Sequence, residues 1–125
     1  MATVLVVEDE FGIAELFNSV LSDEGYDVLT AINGLHALKV LAEERADLVF
    51  TDYMMPVLDG AGLLLAMADD PELRGIPVVM MSSLSEGVVA ERCSGYVTFM
   101  RKPLKIAQII EVTQQFLVMP SEIRP

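Results

Sequence analysis

The sequence has no tryptophan, one cysteine, one histidine and only 8 lysines and arginines against 19 acidic residues. Each scarcity excludes something. The lone Cys93 cannot form an internal disulfide, and Met1-Ala2-Thr3 runs directly into apolar sequence with no basic n-region, so a cytoplasmic protein without a cleavable leader is expected. With His36 as the sole histidine there is no imidazole cluster to hold a metal, and a solvated side chain is its expected state. The net charge of -11 and isoelectric point near 4.2 give a surface that repels nucleic acid and anionic lipid. No direct nucleic-acid contact is therefore expected. The longest apolar run, Leu63 to Ala68, falls far short of the roughly 18 residues that a membrane span requires, so no membrane insertion is expected either.

Hydrophobic residues nevertheless make up 53% of the 125 residues, with a mean hydropathy of +0.48. Short apolar runs that are rich without alternating describe strands buried on both faces. Five such runs are present: Val4 to Val7, Tyr26 to Thr30, Ala46 to Thr51, Ile76 to Met81 and Tyr96 to Met100. Between them lie helical patterns. Phe11 to Asp23 repeats apolar residues at Ile13, Leu16, Phe17, Val20 and Leu21 and stops at Gly25, while Asn33-Gly34 opens a helix whose apolar face is Leu35, Leu38, Leu41 and Ala42. Asp59 caps a third helix running to about Ala68. Ser83-Leu84-Ser85-Glu86 has capping-box spacing and predicts a short fourth helix that ends before Gly95, with Cys93 packed inside it. A last amphipathic helix is predicted from Leu104 to Met119, with Ile106, Ile109, Ile110, Thr113, Phe116 and Leu117 facing the sheet. Met67, Met80, Met81 and Met100 read as core filler. The expectation is one α/β domain over residues 1–125, with a parallel sheet between two helical layers and no effector domain.

Polar groups interrupt this pattern at the carboxyl ends of four strands: Glu8 and Asp9, then Asp52, then Ser82, then Lys102. A parallel sheet places all of these ends on one edge, which is where such folds carry their chemistry. Three carboxylates drawn together repel by about 4 kcal/mol per pair at ~4 Å and an effective dielectric near 20. A cation relieves that cost. Oxygen donors of this kind suit Mg²⁺ (or Mn²⁺), which keeps several waters and completes its shell with phosphate oxygens. Lys102 adds a mobile positive charge and Ser82 a hydroxyl donor, so together the groups describe a site for a phosphoryl group on Asp52.

With the acidic Glu8-Asp9 pair, Asp52 followed by Met55-Pro56 and Asp59-Gly60, Ser82 ending the fourth strand and Lys102-Pro103 after the fifth, the chain resembles a two-component response-regulator receiver domain of the single-domain, chemotaxis-regulator type. The likeness spans Thr3 to about Leu117. It implies a flavodoxin-like (βα)5 doubly wound sheet in strand order 2-1-3-4-5. Asp52 would be the phosphoacceptor, and Asp9, Asp52 and the Met54 backbone carbonyl would bind the metal directly, with Glu8 acting through water. Lys102 and Ser82 would bind the phosphoryl oxygens, Ser82 and Phe99 would form the switch, and Pro103 would follow a cis peptide bond. The donor would be the phosphohistidine of a sensor histidine kinase or a histidine phosphotransfer protein. The output would be a changed surface on helix four, strand five and helix five, offered to a downstream protein target or to a second copy in a phosphorylation-dependent dimer.

The chain departs from the family in three places. The interval from Ser82 to Lys102 is short, which shortens the helix-four region. Phe99 stands where a hydroxylated aromatic is common, and Arg101 adds a second cation beside Lys102. Met54 and Leu84, each two residues beyond a site residue, are apolar and cannot orient a water, so slow self-dephosphorylation is expected. Two competing functions are weaker. A phosphorylation-independent adaptor on the same fold would be expected to lack Asp52 or Lys102. A phosphohydrolase of the haloacid dehalogenase type needs Asp-x-Asp after strand one, where this chain has Asp9-Glu10-Phe11.

Overall fold

A computed structural model describes residues 2–117. Five strands, β1 (Thr3–Val7), β2 (Asp27–Ala31), β3 (Leu48–Asp52), β4 (Val78–Ser82) and β5 (Thr98–Arg101), alternate with five helices, α1 (Phe11–Asp23), α2 (Gly34–Glu43), α3 (Gly60–Ala68), α4 (Glu86–Ala90) and α5 (Ile106–Phe116). The strands pair in parallel in the order β2-β1-β3-β4-β5. This is the doubly wound flavodoxin-like arrangement, and it makes β1 and β3 central neighbours.

The core is two apolar layers separated by the sheet. Val4, Val6, Leu48, Phe50, Val79, Met81 and Met100 pack on one face against Phe17 and Leu21 of α1 and Ile109 and Val112 of α5. Leu5, Val7, Val49, Val78 and Met80 pack on the other against Ala37 and Leu41 of α2, Leu63 and Met67 of α3, and Val89 of α4. Alternate residues of each strand thus feed opposite layers, as the pleat requires. Three termini are built as the sequence implies. Asn33 and Asp59 accept backbone N–H groups from His36 and Gly62 at 2.8 Å each. After α1, Gly25 takes φ +92°, with its N–H on Ser22 O and the Tyr26 N–H on Leu21 O, which closes the helix in a Schellman turn.

Several expected boundaries move, each for a local reason. The buried stripe of α2 is Gly34, Ala37 and Leu41, whereas Leu35 is 47% exposed, because Gly34 lies against Leu58 and sets the rotation of the helix. β4 begins at Val78 rather than Ile76; Pro77 has no amide proton and joins the sheet only by accepting from Val49 N–H. Tyr26 is buried but precedes β2. The fifth helix starts at Ile106, which is exposed rather than facing the sheet, and residues 118 and 119 of the predicted helix lie outside the described residues. The largest change concerns α4. The Ser83 capping box does not form: the helix begins at Glu86, Ser85 is its N-cap without a side-chain bond, and only five residues are helical. Cys93 is buried in the loop that follows, outside any helix. His36 is half-buried in the first turn of α2, and its Nδ1 accepts the Ile32 N–H at 3.0 Å, so it staples the β2–α2 loop.

Candidate functional site

The four strand ends meet at the carboxyl edge of the sheet. Asp52 is the last residue of β3 and Ser82 the last of β4, both buried. Glu8 continues β1 by one step, donating its N–H to Ala31 O at 2.9 Å, and Lys102 continues β5, donating its N–H to Ser82 O at 2.9 Å. Continuing the ladders past the last assigned residues fixes the backbone beneath each charged side chain. Asp9, one residue further from the sheet, is exposed. Glu8, Asp9 and Asp52 each offer a carboxylate oxygen, and these oxygens lie within 4.8 Å of one another. The donor set is all-oxygen and rich in negative charge, and it fits a hard divalent cation.

Lys102 partly neutralises the cluster. Its Nζ lies 2.7 Å from Glu8 Oε1 and 3.3 Å from Asp52 Oδ1. Burial alone would push the ammonium down, yet the Glu8 hydrogen bond and the charges of Asp52 and Glu8 outweigh burial and hold Lys102 above its usual range. Burial dominates for the two acids. It raises Glu8 to about 7 against the pull of Lys102, with the Asp52 charge adding to the rise. It also lifts Asp52 above the ordinary carboxylate range, against Lys102 and a backbone donor. One ammonium among three carboxylates leaves a surplus of negative charge on this edge.

Four residues beyond those expected touch the site: Tyr53, Thr51, Glu10 and Gly60. The Tyr53 N–H donates both to Asp52 Oδ1, at 3.0 Å, and to Met81 O, at 2.8 Å. The Thr51 hydroxyl donates to Asp52 O at 3.0 Å, and the Glu10 N–H donates to Glu8 Oε2 at 3.3 Å. Gly60 sits so close that a Cβ there would lie 2.5 Å from Asp52 O and 2.8 Å from the Met80 sulfur. The Asp59-Gly60 pair signalled this last one, since a cap followed by glycine beside a catalytic strand marks a close approach; backbone donors leave no such signal.

Around this centre the other expected residues divide. The Ser82 hydroxyl accepts the Leu84 N–H at 3.0 Å and retains its own proton for another acceptor. Met54 stands at the rim, 63% exposed. Leu84 is half-buried and packs against the core layer that contains Val89. Phe99 is half-buried against the same layer, with its ring centroid 6.3 Å from that of Tyr96. The Arg101 Nε donates to Ser83 O at 3.3 Å and ties the β4–α4 loop to β5. The Lys102–Pro103 peptide bond is cis.

Residues 4–114 match the response regulator receiver domain family. Sporulation initiation phosphotransferase F of Bacillus subtilis (strain 168) is 34% identical over 120 residues, covering 94% of this chain and 95% of that protein. The polar-differentiation response regulator DivK of Brucella anthropi is 31% identical over 120 residues, covering 92% and 95%. Among solved structures, the chemotaxis protein CheY4 of Vibrio cholerae superposes with a TM-score of 0.88 at 27% identity, covering 94% of this chain and 99% of that one. Fold, strand order and the two full-length relatives agree, and the chain belongs to the response regulator receiver domain family.

Proposed function

We propose that Asp52 accepts a phosphoryl group from the phosphohistidine of a sensor histidine kinase or histidine phosphotransfer protein, and that the resulting acyl phosphate switches this receiver. The observation that carries the reading is the convergence of Asp52, Glu8 and Lys102 within hydrogen-bonding reach on the carboxyl edge of the sheet. In the transfer, an Asp52 oxygen bonds to phosphorus as the phosphorus–nitrogen bond of the donor breaks and the imidazole departs with the electron pair. Asp52 Oδ1 already takes the Tyr53 N–H and faces Lys102, which makes Oδ2 the less engaged nucleophile. Lys102 is held ready: shifting from Glu8 and Asp52 to a phosphoryl oxygen moves its charge to where negative charge develops. Ser82, whose proton is free to donate, binds a second phosphoryl oxygen.

The metal we assign is Mg²⁺, which Asp9, Asp52 and the Met54 backbone carbonyl would hold, with Glu8 supporting it from the second layer of ligands. Bound there, it supplies charge neutralisation and alignment of phosphoryl oxygens. A cytoplasmic setting goes with a kinase donor; among the described residues, no helix is long and apolar enough to cross a membrane. The output partner is a protein, or a second copy of this chain, docking on α4, β5 and α5. The phosphorylation-independent adaptor is the less favoured reading, because a pure docking module has no need of a buried Glu8 paired with a half-buried Lys102 beside Asp52.

The test is intact mass after incubation with acetyl phosphate, with and without Mg²⁺, for the wild type and Asp52→Asn. One added phosphoryl group on the wild type alone, and only with Mg²⁺, is expected. No addition to either protein overturns the reading. Slow self-dephosphorylation is the further expectation at the same site, since Met54 cannot orient an attacking water. Met54→Asn combined with Leu84→Glu should hasten loss of the phosphoryl mass by about tenfold or more, a modest share of what a positioned general base supplies.

A further inference from the structure

α4 is the shortest helix of the fold at five residues, it has no side-chain N-cap, and it buries a single residue, Val89. At its two ends the Val88 and Val89 N–H groups reach Ser85 O and the Arg92 N–H reaches Val89 O. Such an element is not held in place by itself. A side-chain tie to its first turn comes from the far end of the following loop, where the Tyr96 hydroxyl donates to Glu86 Oε2 at 3.1 Å. Gly95, at φ +99°, turns the chain immediately before Tyr96, so the phenol reaches back along the helix it follows. The Tyr96 ring is also the aromatic neighbour of Phe99, tilted at 52° to it. Tyr96 therefore touches both the half-buried aromatic of β5 and the N-terminal turn of α4.

We infer that Tyr96 is the link between Phe99 and α4, so that the Tyr96–Glu86 bond belongs to the unphosphorylated arrangement and is given up when Phe99 moves. The inference rests on Asp52 being phosphorylated, and it deepens that reading by naming how the signal leaves the site. When the Ser82 side chain turns toward the phosphoryl group to donate its proton, the oxygen that holds the Leu84 N–H moves with it and draws on the chain between Ser82 and Ser85. Phe99 packs in the same layer as Leu84 and Val89 and moves into the space that changes. Tyr96 follows its ring partner, and its hydroxyl leaves Glu86. Without that tie, the exposed carboxylate at the start of α4 and the loop after it are released together. A two-state element biased by one side-chain bond is what such a switch needs, because the bond counts only in one state.

Trypsin nicking after the exposed Arg92, read by mass, measures how often the α4 segment opens, because cleavage follows the population of the open form. In the unphosphorylated protein, Tyr96→Phe should raise the nicking rate about threefold to tenfold, the range expected for one net hydrogen bond. Glu86→Ala should do the same, Glu86→Gln should stay near wild type, and the Tyr96→Phe, Glu86→Ala pair should add nothing further. After phosphorylation by acetyl phosphate, confirmed by mass in the same sample, wild type and Tyr96→Phe should nick at the same rate. An unchanged ratio between the two proteins before and after phosphorylation would make the bond merely structural and overturn the switch. No gain of phosphoryl mass in either protein would overturn the phosphoacceptor reading and the switch with it.

Discussion

Two regions of the same sheet edge are built in opposite ways. Around Asp52, the buried charged groups are held from several directions: the Tyr53 N–H and Lys102 on the Asp52 carboxylate, the Thr51 hydroxyl on its carbonyl, Gly60 packed against its backbone, and Glu8 fixed by its own N–H and by Lys102. Around α4, the chain from Ser83 to Gly95 relies on Val89 and Cys93 in the core and on two exposed side-chain bonds, from Tyr96 and from Arg101. The difference teaches a division of labour. Chemistry needs groups that do not reorganise, whereas a response needs a segment whose two arrangements differ by little free energy. One domain supplies both by placing the rigid part where central strands end and the loose part beside an edge strand.

The contrast breaks most sharply at Lys102. Lys102→Met should slow phosphorylation by acetyl phosphate about a hundredfold, the scale for losing one preorganised charge donor, while Tyr96→Phe leaves that rate unchanged. A time course of intact mass compares the two variants directly. Next in size is Gly60→Ala, which drives a methyl against the Asp52 carbonyl and the Met80 sulfur and should cost about 1–3 kcal/mol of stability, read by urea denaturation. Gly87→Ala in α4, where a Cβ meets nothing within 4 Å, should cost nothing measurable. Equal losses at Gly60 and Gly87 would erase the distinction between the two regions.

A smaller effect follows from Glu8, whose pKa stands at about 7 in the folded protein against 4.5 for an ordinary glutamate. Between those values the folded chain binds a proton that the unfolded chain does not, so this contribution is full below about pH 4.5 and is lost as pH rises towards 7. The metal-free protein should therefore melt at a lower temperature at pH 8 than at pH 6. Glu8→Gln, neutral throughout, should flatten that part of the profile. An undiminished slope in the variant would place the pH dependence elsewhere. The smallest effect concerns Val57, a β-branched residue at φ +72° where the Leu58 N–H closes a tight turn onto Pro56 O at 2.9 Å. Val57→Gly relieves the left-handed strain against the entropy that glycine adds to the unfolded chain and should stabilise by about 0.5 kcal/mol or less, measured by the denaturation midpoint.

Much of this molecule was legible before its structure. The strand ends at Asp52 and Ser82 were marked by a carboxylate and a hydroxyl closing apolar runs, and Gly25, Asn33 and Asp59 announced their helix termini because capping is a local affair of one side chain and one or two amides. α4 is present and short as expected, but its start and its missing cap escape the local pattern for the complementary reason. Ser83 and Glu86 have the spacing of a capping box, yet the Glu86 carboxylate that would reach back to the Ser83 amide takes the Tyr96 hydroxyl instead, ten residues further along the chain. No window of local sequence contains that competition. Leu35 and Ile106 fell to the same cause, since the rotation of a helix about its axis is set by what it packs against, here Leu58 against Gly34, rather than by its own pattern.

By itself, the sequence determined the order of elements, the strands buried on both faces and the residue types that arrive at the carboxyl edge, because burial periodicity and capping act over a few residues. Only the tertiary structure decided that the Lys102 ammonium sits between Glu8 and Asp52, that Glu8 is pushed up to about 7, and that Tyr96 reaches Glu86 beside Phe99. Those are distances between residues far apart in the chain, and charge, burial and hydrogen bonding at such distances exist only once the sheet has brought its strand ends together.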